Sequence, residues 1–196
     1  MAVVLCFTKN FAMRQSIITL TYEKRKIFFF DNRLEFLVCA TIFDNPYILI
    51  DTVHERKESI RWICLRLAER GLFKNVYFIA QAEIAKDSFF KAFGLISTIE
   101  ELKNICHRAA KLPLAGAACS LISVLHHRLN SILSEDCLSF LINIYDPTKK
   151  TYLSKGRPGT NKLHYLRCKL CLGSSLELKQ LISILSSDKI SRKDFM

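Results

Sequence analysis

The sequence predicts an α/β chain: a doubly wound, five-stranded parallel sheet over residues 1–110, followed by a linker helix and an all-α C-terminal domain. Three observations carry this. Short apolar runs alternate with helix-like stretches through the first 110 residues, strand signals stop at Lys111, and basic charge gathers toward the C-terminus.

Ala2–Phe7 is a continuous apolar run, the pattern of a strand buried on both faces in a parallel sheet. Phe11–Lys24 suits a helix, Lys26–Phe30 a second strand and Arg33–Phe43 a second helix. Tyr47–Ile50 is a third strand, ending at Asp51. Ile60, Ile63, Cys64 and Leu67 then fall at i, i+3, i+4 and i+7, one face of an amphipathic helix that Gly71 caps. Val76–Ala80 makes a fourth strand, Glu83–Phe93 a helix stopped by Gly94, and Leu95–Ile96 a short fifth strand. Thr98 and Glu101 have capping-box spacing and open a helix with Ile99, Leu102, Cys106 and Ala109 inward. Five β/α repeats in about 110 residues give the doubly wound sheet. The glycines stand singly, so no phosphate-cradling loop is present and a dinucleotide site is not expected.

Beyond Lys111 the pattern is helical. Leu112–Asn130 reads as a helix within a linker at 111–132. Its apolar core, Leu112–Leu125, is interrupted by Pro113 and Gly116 and falls short of the roughly twenty residues a membrane span needs. The domain at 133–196 begins where Ser134 caps a helix with Leu138, Leu141, Ile142 and Tyr145 inward, ended by Asp146–Pro147. A basic segment, Lys149–Arg157, leads to Pro158–Gly159–Thr160, where Thr160 caps a helix running to Cys171 and Gly173 ends it. Ser174 and Glu177 repeat the capping-box spacing and open a helix with Leu178, Leu181, Ile182 and Leu185 inward. The tail after Ser186 is polar and expected to fray.

The net charge is +11, and its distribution is uneven. From Asp146 to Met196 eleven Lys or Arg face four acids, while the first 145 residues carry only +4. Seven basic residues and no acid lie between Lys149 and Lys169, which points to a polyanionic partner. The eight cysteines are spread through apolar stretches, where a free thiol acts as a small hydrophobe. With no basic region ahead of the first apolar run, the expected compartment is reducing and cytoplasmic, with no membrane association. Trp62 and the phenylalanines are assigned to the core; Phe28–Phe30 lacks the basic interleaving of a single-strand binder.

The segment Thr160-Asn-Lys-Leu-His-Tyr-Leu-Arg-Cys-Lys-Leu-Cys-Leu-Gly173 resembles the recognition helix of LuxR-type helix-turn-helix transcription regulators. Thr160, His164, Leu172 and Gly173 fall in register with that pattern, and Leu133-Ser134-Glu135 resembles its opening. Asn161 stands where an aliphatic residue is usual, Cys168 and Cys171 replace Ile and Lys, and the stretch between is about three residues short. The N-terminal half resembles the receiver domain that commonly precedes such a module, with Asp51 at the phospho-acceptor position. The remaining receiver chemistry is missing. Thr8-Lys9-Asn10 occupies the place of the Mg²⁺-holding acids, Ala80 or Gln81 that of a Ser or Thr, and Ser97-Thr98 that of a Lys. The resemblance therefore implies a pseudo-receiver, with no cofactor and no working acceptor, used for homodimerisation or for heterodimerisation with another LuxR-type regulator.

On this reading the partner is double-stranded DNA. Lys162, Leu163 and either Leu166 or Arg167 would read bases in the major groove, as the resemblance implies; lysine and arginine can pair with guanine and leucine can meet a thymine methyl. His164 belongs to the same helix. Lys149, Lys150, Lys155, Arg157 and Lys169 would meet phosphates, and the helix end at Thr160 favours one as well. His164, Cys168 and Cys171 have metal-like spacing, but no second Cys-x-x-Cys supplies a complete zinc set, so no metal is expected. His54 and the His126–His127 pair raise a Cys–His nucleophile without fixing a partner. Two rival functions remain. One is a protein-interaction module that pairs with another response regulator without reading DNA. The other is a small α/β enzyme, which needs polar groups converging at the carboxyl ends of the strands, and the sequence displays no such set.

Overall fold

The computed structural model describes residues 3–20, 27–80, 93–110, 120–144 and 160–191. The chain divides into two compact units, 1–118 and 119–196.

The first unit is built on β1 (Val4–Phe7), β2 (Ile27–Phe30), β3 (Tyr47–Asp51), β4 (Val76–Ile79) and β5 (Gly94–Ile96). All neighbouring strands pair in parallel, in the order β2-β1-β3-β4-β5. This is one of the two common doubly wound orders, with its switch point between β1 and β3. Helices α1 (Phe11–Leu20), α2 (Arg33–Ile42), α3 (Lys57–Glu69) and α4 (Ile99–Ala110) flank the sheet. The helix expected at Glu83–Phe93 lies largely outside the described residues, as does the end of the one expected to reach Lys24.

Side-chain alternation assigns the two faces. Val4, Cys6, Leu49 and Ile96 pack with Ile17 of α1 and Leu102, Ile105 and Cys106 of α4. On the opposite face Phe7 and Phe30 meet Phe36 of α2 at ring-centroid distances of 5.4 and 5.7 Å. The apolar stripe of α3, Ile60, Ile63, Cys64 and Leu67, is buried as its spacing predicts, and Arg33 of α2 lies 4.8 Å from the Trp62 ring centre.

Helix ends follow local chemistry. Asn10 Oδ1 accepts from Met13 N–H at α1, and Asn32 Oδ1 accepts from Leu34 and Glu35 at α2. The Thr98–Glu101 capping box forms: Glu101 N–H donates to Thr98 Oγ1, while Glu101 Oε2 accepts from the backbone of Ser97 and Thr98. Gly71 closes α3 at φ +68°, with Gly71 N–H donating to Ala68 C=O and Leu72 N–H to Leu67 C=O.

Two expectations for this unit fail. Phe11 and Phe73, assigned to the core with the other phenylalanines, are exposed. Ile99 is 62% exposed, because the inward stripe of α4 runs through Leu102, Ile105 and Cys106 instead. The fifth strand, expected at Leu95–Ile96, starts one residue earlier, at Gly94, where a Cβ would run into the Tyr77 ring of β4.

The second unit holds α5 (Leu121–Ile132), α6 (Glu135–Asn143), α7 (Thr160–Lys169) and α8 (Ser175–Ser191). Ser120, in extended conformation, caps α5 through Ser123 N–H, so the helix expected from Leu112 to Asn130 does not run through Ser120, and its part at 112–119 lies outside the described residues. Nor is α5 a bare linker: it packs against α6 and α8 and buries Val124, Leu125 and Leu129. Among the described residues of this unit, Leu141, Leu166, Leu170, Leu172, Leu178, Leu181, Ile182 and Ile184 are also buried, with Leu133 at the α5–α6 turn. Ser134 holds the N-cap position of α6, but its hydroxyl makes no capping bond. At α8 the Ser174–Glu177 box closes as expected, with Glu177 Oε2 also accepting from Gly173 N–H at 2.8 Å. That helix continues to Ser191, past the point where the sequence suggests fraying.

Helix α7 ends sooner than Cys171. Cys171 itself takes the left-handed conformation, φ +55°, with its N–H on Cys168 C=O and Leu172 N–H on Arg167 C=O. The bonding pattern is the one Gly71 makes, here built on a residue that carries a Cβ. No helix among the described residues is long and apolar enough to cross a membrane.

Candidate nucleic-acid interface

Helix α7 is held by few apolar side chains. Leu166 and Leu170 are buried and Leu163 is half-buried, at i, i+3 and i+7, so these three define its inner side. Leu166 is fully buried and is removed from the base readers. The opposite side carries Asn161, His164, Tyr165 and Cys168, all exposed, with Lys162 and Arg167 on its flanks. Lys169 is exposed at the C-terminal end. There is no acidic residue on the helix.

Thr160 is the first residue of α7, so the capping position falls at 159, outside the described residues. Lys149, Lys150, Lys155 and Arg157 lie outside them too. The Lys162 ammonium rests 4.4 Å from the centre of the Phe140 ring of α6, a cation–π contact. Arg167 Nη2 lies 3.2 Å from His164 Nδ1, and His164 Nε2 lies 3.6 Å from Cys168 Sγ. Asn161, noted from sequence only as a departure from the family pattern, and Tyr165 were not among the expected base readers. Their signal was there: once Leu163, Leu166 and Leu170 mark the inner stripe, the outer one follows by rotation.

At the carboxyl ends of β1 and β3 the first unit gathers a second polar group. The Asp51 carboxylate is fully buried. Its Oδ2 accepts from Thr8 Oγ1 at 2.7 Å and is bonded to His54 Nδ1 at 2.9 Å; its Oδ1 accepts from the backbone N–H of Val53 and His54. Thr8 Oγ1 in turn accepts from Asn10 N–H, and Thr8 C=O accepts from the Arg14 guanidinium, which also faces Asp31 at 3.6 Å. Lys9 donates its backbone N–H to Glu55 and places its ammonium 3.6 Å from the same carboxylate. A convergent polar set therefore exists at the switch point, which the sequence reading did not find because its members are spread over residues 8–55. Its hydrogen bonds run among its own members. Both Asp51 oxygens are occupied by internal donors, and the positions after β1 supply a hydroxyl and an ammonium where a Mg²⁺ site would need carboxylates.

Among the described residues no three of His, Cys, Asp or Glu come together as a metal-binding group. The best-defined cavity there, about 20 Å³, lies at the amino edge of the sheet between Asn45, Pro46, Ile48, Gly71 and Asn75, away from the Asp51 group. It has room for one water. Burial drives the thiols of Cys6 and Cys39 strongly upward and that of Cys64 up to about 12, so these three are inert core residues.

Comparison with known protein families, with curated proteins and with solved structures returned no match.

Proposed function

We propose that the chain is a DNA-binding transcription regulator: its second unit docks α7 on double-stranded DNA, and its first unit serves dimerisation instead of phosphotransfer. The observation that carries this is the one-sided anchoring of α7. Two buried leucines hold a helix whose free surface bears amide, imidazole, phenol and basic groups and no acid. In a major groove, the stripe Asn161–His164–Tyr165 faces base edges, with Lys162, Arg167 and Lys169 beside it. The basic run at 149–157 then adds phosphate contacts and salt dependence. The resemblance to LuxR-type modules agrees with this use of the helix, and the internally satisfied Asp51 agrees with a receiver-like unit that passes no phosphoryl group.

The test is binding of the full chain to duplex DNA across a salt series, beside a Lys162→Ala/Arg167→Ala double variant. Expected are an affinity that falls linearly in log–log form with salt and a shallower slope in the variant. No binding at low salt overturns the reading. It would favour the partner-dependent module, which has its own support: Lys162 already rests on Phe140, and Arg167 on His164.

A further inference from the structure

We propose that Cys168 and Cys171 form a reversible thiol-oxidation site at the C-terminal end of α7, whose oxidant is hydrogen peroxide. The two thiols are exposed, whereas Cys6, Cys39, Cys64 and Cys106 are buried and Cys137 is half-buried. The bond from Cys171 N–H to Cys168 C=O, 3.1 Å, closes one turn around the pair. One turn holds two Cα atoms about 5–6 Å apart, within the span a disulfide bridges. His164 supplies the third group, with Nε2 3.6 Å from Cys168 Sγ. Arg167 can only donate to His164 Nδ1, which assigns the proton of the neutral ring to Nε2, facing the sulfur. A donor held on Cys168 distinguishes the attacking thiol from the resolving one. The inference does not depend on DNA binding.

The chemistry balances. Cys168 sulfur, as thiolate, attacks one peroxide oxygen; the O–O bond breaks, and hydroxide leaves and is protonated to water, giving a sulfenic acid. Cys171 sulfur then attacks the Cys168 sulfur; the S–O bond breaks and a second water leaves. Two thiols lose two electrons, and the peroxide is reduced to two waters. A dithiol reductant reverses the step by exchange.

The experiment treats the reduced full chain with hydrogen peroxide, alkylates the remaining thiols, digests with trypsin and reads masses. Cleavage after Arg167, Lys169 and Lys179 separates the cysteines, so a bridge joins fragments 168–169 and 170–179. The expected product is this pair, two hydrogens lighter than the sum and restored by dithiothreitol. Cys171→Ser should leave a sulfenic acid at Cys168 that a 1,3-diketone traps. His164→Gln should slow bridging several-fold with an unchanged melting temperature. Bridging of either cysteine to another chain, faster oxidation of Cys137, or an unaltered rate in His164→Gln would each overturn the proposal.

Discussion

Gly71 and Cys171 occupy the same backbone position at the ends of two helices, with the same pair of closing hydrogen bonds. Only the glycine does so without strain. A side chain in the left-handed region costs about 1–2 kcal/mol, while glycine adds about 0.5–1 kcal/mol of unfolded-state entropy. Cys171→Gly should therefore stabilise the second unit by roughly 0.5–1 kcal/mol, read as a shift in the urea midpoint at constant slope. Asp51 is the opposite case, a residue whose surroundings leave no slack. Asp51→Ala strips the acceptor from the Thr8 hydroxyl and from two backbone N–H groups, and should cost about 2–4 kcal/mol. Asp51→Asn retains an acceptor and should cost less. Incubation with acetyl phosphate and Mg²⁺ should leave the mass of the wild-type chain unchanged; a gain of one phosphoryl group would refute the structural role assigned to this carboxylate.

Among the elements, α4 shows how a cap fixes a helix and carries a pH signature. Hydrogen bonds from the Ser97 and Thr98 backbone hold the Glu101 carboxyl below its ordinary range. The folded value lies below the unfolded one, so the cap stabilises fully above the ordinary glutamate range and fades as pH falls through the depressed value. The melting-temperature gap between wild type and Glu101→Ala should accordingly be widest near neutrality and close in acid, below the ordinary glutamate range. A gap independent of pH would mean that helix propensity, not the carboxylate, sets it. This cap was legible in the sequence because it depends on residues three apart, and so were the α3 stripe and the continuous apolar runs of β1 and β3. Non-local packing was not. Ile99 fits the periodicity of α4 as well as Ile105 does, and only the sheet behind the helix decides which one is buried. The packing demand on Gly94 was hidden too, because Tyr77, seventeen residues earlier, is brought against it only by the pairing of β4 with β5. The Asp51 constellation was equally hidden, since Thr8 meets Asp51 only through the pairing of β1 with β3.

At the scale of the molecule, two units with separate cores should unfold separately. Calorimetry should resolve two transitions. Gly94→Ala, which forces the Tyr77 ring aside, should lower only the first unit's by about 1–3 kcal/mol. Leu181→Ala should lower only the second unit's, by about 2–5 kcal/mol. A single transition shifted by both variants would contradict independent cores. The strand order has a different consequence for the life of the chain before it is folded. Because β2 lies at the rim of the sheet, Ile27-Phe28-Phe29-Phe30 has no neighbouring strand on its outer side among the described residues. The same four residues are the kind of β-prone, uncharged segment that seeds intermolecular stacking. In sequence they are bracketed by Lys24-Arg25-Lys26 on one side and by Asp31 and Arg33 on the other. Charges flanking an unavoidable hydrophobic strand are the gatekeepers that disfavour edge-to-edge stacking of a chain before it folds.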